Sequence, residues 1–116
     1  MVGEIVSAVA EVFGAVLSSA GGPRRVFCRS RLVDGQGEGL TLGEEVGGEA
    51  TVSVRRITLG DVRLRGVVVG ALPLRMSYLD EIDQRAEVFR IEWDGGVGEW
   101  TLPAVRARTV LRWIGA

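Results

Sequence analysis

The stretch VSVRRITLGDVRLRGVVV, residues 52–69, decides the class of fold. Val52 and Val54 alternate with Ser53 and Arg55, which is the period of a half-buried strand. Ile57 and Leu59 continue on the opposite parity, so the inward face switches at the Arg55-Arg56 pair, as a β-bulge would make it do. Gly60-Asp61 is a two-residue turn signal, and DVRLRGVVV reads as the returning strand of a hairpin.

Period 2 recurs on both sides of this hairpin. In RRVFCRSRLV, residues 24–33, Val26, Cys28, Ser30 and Leu32 alternate with Phe27, Arg29, Arg31 and Val33, and either set is apolar enough to face inward. AEVFRIEWD, residues 86–94, sets Phe89, Ile91 and Trp93 against Val88, Arg90 and Glu92. Asp94-Gly95-Gly96 turns the chain, and residues 98–102 pair back. Residues 105–114 show the cleanest alternation, Val105, Ala107, Thr109, Leu111 and Trp113 against Arg106, Arg108, Val110 and Arg112, which predicts a last strand. LRMSYLDEIDQR, residues 74–85, reads either as a short helix with Ser77 as N-cap or as a loop.

The opening segment has a different period. In MVGEIVSAVAEVFGAVLSSAGG, Ile5, Val9, Val12 and Val16 form a helical stripe widened by Val6, Phe13 and Leu17, and Glu4, Ser7, Glu11 and Ser18 fall mostly on the other side. Two glutamates and the lack of a basic start argue against a signal peptide or a membrane span. Gly21, Gly22 and Pro23 end the pattern. The expected fold is one domain over 1–116: a mainly β, small antiparallel barrel or sandwich over 24–116, with an amphipathic helix over 2–20 and one long flexible loop over 34–49.

That loop, DGQGEGLTLGEEVGGE, holds six glycines, five acids and no arginine. So long a connection in a compact domain is usually functional or disordered. Glycines let it change shape, and Leu40, Leu42 and Val46 give it apolar residues that a solvated loop does not need. It is read as an arm that orders on a neighbouring subunit, or as a long twisted hairpin or mobile tip with no partner.

Composition narrows the chemistry. The chain has no histidine, lysine or asparagine, and all 14 basic residues are arginine. The usual proton shuttles and amine nucleophiles are therefore missing, although the same bias is expected of a GC-rich genome. The net charge is −1 and apolar residues make up 47%, which suits a packed core and permits association. Cys28 stands alone, so no internal disulfide can form, and its strand position suggests a small buried hydrophobe. Gly35-Gln36-Gly37-Glu38-Gly39 lacks the lysine of a phosphate loop, and Asp80, Glu81 and Asp83 lack calcium-loop spacing. No catalytic, cofactor or metal site is expected.

Charge falls in blocks. The acids of 34–49 are followed by five arginines against Asp61 over 51–75, then seven acids against two arginines over 80–99, then three arginines over 103–116. Such blocks pair between neighbouring strands of one fold, or between an acidic loop and the basic face of the next copy in a head-to-tail ring. The candidate interface residues are Asp34, Glu38, Leu40, Leu42, Glu44, Glu45, Val46 and Glu49 on the loop side. Arg55, Arg56, Arg63, Arg65, Arg106, Arg108 and Arg112 are the basic counterparts. The arginines of 55–65 also suit an oligonucleotide-binding barrel, but Phe27, Phe89, Trp93, Trp100 and Trp113 are more simply core or interface residues than stacking platforms.

In order and proportion, with VSVRRITLGDVRLRGVVV and GEWTLPAVRARTVLRWIG as its strand pairs, the chain resembles the small head-completion or head-tail joining proteins of tailed bacteriophages. The resemblance implies a homo-oligomeric ring below the portal that meets portal or adaptor proteins on one side and tail proteins on the other. It also implies contact with DNA passing through the ring, no membrane partner, and a place in the virion after assembly in the host cytoplasm. A small ligand- or oligonucleotide-binding barrel of a cellular protein is the alternative reading.

Overall fold

The computed structural model describes residues 24–115. The helix expected over 2–20 lies outside the described residues. The described chain forms one curled, antiparallel half-barrel sheet and a C-terminal helix, in the order β1 (Arg24–Gly35), β2 (Glu45–Ser53), β3 (Arg56–Leu59), β4 (Val62–Arg65), β5 (Val68–Val69), β6 (Arg75–Leu79), β7 (Gln84–Trp93), β8 (Gly96–Pro103) and α1 (Ala107–Gly115). In space the strands run β4-β3-β2-β1-β8-β7-β5, and β6 continues below β5 along the same side of β7.

The inward face of β1 is Val26, Cys28, Ser30 and Leu32, all buried. Ala50 and Val52 of β2, Ile57 and Leu59 of β3, and Val62 and Leu64 of β4 continue the same interior. Phe89, Ile91 and Trp93 of β7, with Trp100 and Leu102 of β8, complete it, so the aromatics of the last strand pair are core residues. Burial pushes the Cys28 thiol up to about 11, which keeps it protonated and unreactive at neutral pH.

Three expectations are corrected. The parity switch at Arg55-Arg56 is a hairpin turn, because β2 ends at Ser53 and β3 starts at Arg56, with Ser53 paired to Arg56. Arg55 takes a left-handed conformation, φ 57°. Its strain is offset by two backbone bonds: its N–H donates to Ile114 O at 2.9 Å, and its carbonyl accepts from Val67 N at 3.0 Å.

The last segment is a helix. In the strand reading Val110 falls on the arginine face, whereas helical spacing brings Ala107, Val110 and Ile114 onto one buried stripe and leaves Val105 outside the helix. Alanine, arginine and leucine favour the helix further. It packs against β2 and β5 and adds Ala107, Val110 and Ile114 to the core.

Ser77 caps no helix, for residues 75–79 are strand β6, paired with β7 from Arg75↔Val88 to Leu79↔Gln84. Only Asp80–Ile82 turns helically, and left-handed Asp83 ends it.

Candidate functional site

The loop expected over 34–49 is shorter than its composition suggests. β1 runs on to Gly35 and β2 begins at Glu45, so Asp34, Glu45, Val46 and Glu49 belong to strands and residues 36–44 form the connection. That connection is tied down on all sides. Gln36 N donates to Gly95 O at 2.9 Å, Gly43 N to Leu32 O at 2.9 Å, and Trp93 Nε1 to Gln36 O at 2.8 Å. Leu40 packs against the core.

Its main structural effect is on an edge strand. Arg63 N donates to Glu38 O at 3.2 Å, and Asp94 N, in the β7–β8 turn, donates to Arg65 O at 3.0 Å. Both outward-facing residues of β4 are thereby engaged. An edge that would otherwise offer unpaired backbone groups to another chain is covered. The glycines serve close approach here: a Cβ on Gly39 would stand 2.5 Å from Asp61 O.

The fold gathers Glu38, Arg63 and Arg65 with Gln36 and Asp94 around one open polar cavity of about 380 Å³. The Arg63 Nη1 to Glu38 Oε2 distance is 3.9 Å, so the acidic loop meets the basic strand of its own chain. The other candidates are dispersed. Leu42 and Glu44 are exposed on the loop, Arg55 and Arg56 lie at the β2–β3 turn, and Arg56 stands directly opposite Arg65. Arg106 reaches Arg25 O at 3.3 Å and lies over the Trp113 ring, while Arg108 and Arg112 are exposed on α1.

The convex face resolves the remaining charge blocks. Arg31 faces Glu45 on one side and Glu99 on the other, and Glu99 also faces Arg90. Arg75 grips Glu99 through both guanidinium nitrogens, at 2.7 and 3.1 Å; Arg29 pairs with Glu81, and Arg90 with Glu92, each at 2.8 Å. Arg75–Glu99 joins β6 to β8, Arg29–Glu81 joins β1 to the turn after β6, and Arg90–Glu92 lies within β7, so the blocks pair inside one chain.

The hydrogen bond from Arg75, together with its charge, holds the Glu99 carboxyl below the usual carboxylate range. A lowered folded pKa means the stabilisation is present above the unfolded carboxylate value and is lost as pH falls through the folded one. Arg75→Gln should therefore lower the melting temperature at neutral pH by the equivalent of less than about 1 kcal/mol. The gap between variant and wild type should close in strong acid, read as melting temperature against pH. A gap unchanged down the whole acid limb would show that the pair contributes nothing through ionisation.

No known protein family, characterised protein or solved structure matches this chain. Among the described residues no three histidine, cysteine or carboxylate side chains converge as a metal site would need, and no helix is long and apolar enough to cross a membrane.

The feature that sequence reading missed is apolar. Leu72, Leu74, Met76 and Tyr78 are 80%, 53%, 58% and 42% exposed, on and just before β6. Among the described residues β6 pairs with β7 alone, so its other side is the sheet's uncovered edge. The signal was present as four large apolar residues at period 2 in LPLRMSY, hidden by the acidic run that follows and suggests a helix start.

Proposed function

We propose that this chain is a non-enzymatic structural subunit that associates with copies of itself, and that it serves in a ring at the head-tail junction of a tailed bacteriophage virion. The observation that carries the self-association is the apolar row from Leu72 to Tyr78 along the uncovered β6 edge. Edges left in water are normally short, charged or covered, and this sheet follows that rule at β4 and breaks it at β6. Near-neutral net charge lets copies approach, and the missing histidine and lysine remove most routes to catalysis. The organisation shared with head-completion proteins supplies the setting, with portal or adaptor and tail proteins as outer partners and DNA as the passing cargo.

The charged loop takes a smaller part in this mechanism than its composition suggests. Glu38 is directed to Arg63 of its own chain, and the convex carboxylates to their neighbouring arginines. The row on β6 is thus the main contact, and a patch elsewhere on the next copy receives it, since head-to-tail closure needs two different surfaces.

Light scattering over a range of concentrations and salt, on the wild type and on Leu74→Lys/Met76→Lys, tests this. The wild type should form oligomers that persist in high salt, as an apolar contact does, and the variant should remain monomeric with an unchanged circular dichroism spectrum. A wild type that stays monomeric at every concentration removes self-association. Ligand binding at the cavity of Arg63 and Arg65 then becomes the better reading, and titration with a single-stranded oligonucleotide is its direct test.

A further inference from the structure

A second apolar feature lies on the helix side of the molecule, away from the edge. Between the last turn of α1 and β5 runs a groove of about 260 Å³, lined by Val67, Val69, Ala71, Leu111 and Ile114, with Arg55 at its rim. We propose that this groove is the docking site of the chain's own N-terminal segment, residues 2–20, whose apolar stripe of Ile5, Val9, Val12 and Val16 enters it in the same molecule. The inference does not depend on the assembly reading.

Three observations select this occupant. The first is where the segment joins. Arg24, the first residue of β1, lies with its guanidinium 5.8 Å from the centre of the Trp113 ring, and Trp113 adjoins Ile114 in the groove wall. Arg24 also pairs with Val52, three positions before the rim residue Arg55. A segment leading out through Gly21, Gly22 and Pro23 therefore starts beside the groove. The second is length: a helix over 2–20 would be about 28 Å long at 1.5 Å per residue, enough to lie along the whole of α1.

The third is charge. Residues 1–22 carry Glu4 and Glu11 and no arginine, whereas α1 and its approach carry Arg106, Arg108 and Arg112 and no acid. An amphipathic segment with apolar residues toward the groove and glutamates toward these arginines satisfies both chemistries at once.

The test uses the full chain with paired cysteines and a short bis-maleimide. Cys28 is buried and stays silent. Val9→Cys and Val16→Cys, each combined with Ala71→Cys, should give a crosslink within one chain for at least one pair, read by mass, and Glu11→Cys with Ala71→Cys should not. In a separate variant, Val12→Asp, amide exchange at 69–71 and 111–115 should quicken by about tenfold or more, with Val26 and Trp100 unchanged. Crosslinks only between chains, no crosslink, or exchange unaltered by Val12→Asp would each overturn the proposal.

Discussion

Trp100→Ala is expected to lower the stability of the fold by about 3–5 kcal/mol, a large share of the roughly 5–15 kcal/mol that holds a domain of this size folded. Trp100 is fully buried, and it is the largest side chain in the interior with no exposed surface. It sits on β8 between Phe89 of β7 and Ser30 of β1, its register partners on the two sides. Those neighbours are held by strand pairing along their full length, so they cannot collapse into the space the ring leaves. The cavity is kept, and its cost adds to the lost burial. Urea denaturation should show a lower midpoint with an unchanged slope. A loss below about 1 kcal/mol would mean that the half-barrel is not packed around this ring.

Gly35→Ala is the second large effect, and Gly43→Ala is its control. Both glycines have left-handed backbone, φ +83° and +82°, so either substitution carries the same conformational cost, about 1–2 kcal/mol. Their surroundings differ. A Cβ on Gly35 would stand 2.3 Å from Gly95 O and 2.9 Å from Gly96 Cα, while one on Gly43 would meet nothing within 4 Å. The atoms in the way at Gly35 are backbone on the adjoining β7–β8 turn, which cannot rotate aside. Either the end of β1 or that turn must move, and the turn also holds Gln36 and Arg65. The loss at Gly35 should exceed that at Gly43 by about 2 kcal/mol or more. Equal losses in matched denaturation curves would show that the loop needs glycine only for its backbone angle.

Much of the sheet was legible because strands with one face in the core must alternate, and β1, β3, β4 and the part of β7 from Phe89 to Trp93 do. The inward parity of β1 was not legible, since Phe27 and Val33 are as apolar as Val26 and Leu32; pairing with β2 and β8 decides it. Residues 105–114 misled because most of their apolar positions satisfy both periods, and Val110 and Ile114, on the arginine parity, tell the two apart. The 34–49 stretch is the long hairpin of its second reading, with strand β1 entering it and strand β2 leaving it. Six glycines suggest mobility, but Gly35 and Gly39 are there because the backbone of Gly95 and of Asp61 passes too close for a side chain, relations between residues far apart in sequence that no local pattern carries. The candidate interface residues suffered likewise. Charge blocks show that opposite signs exist, and only register shows that Arg31, Glu45, Glu99 and Arg90 already face one another.

The unequal edges of the sheet set a valence. A sheet open on both sides can add strands without limit, as fibrils do, while one closed on both sides adds none. Among the described residues this sheet is capped at β4 and open at β6, which makes it monovalent for strand addition: two copies joined edge to edge would satisfy each other and growth would stop. A pair is therefore the largest body that backbone pairing alone can build. Any larger assembly would have to be closed by side chains, and the capped edge guards the chain against polymerising as a continuous sheet.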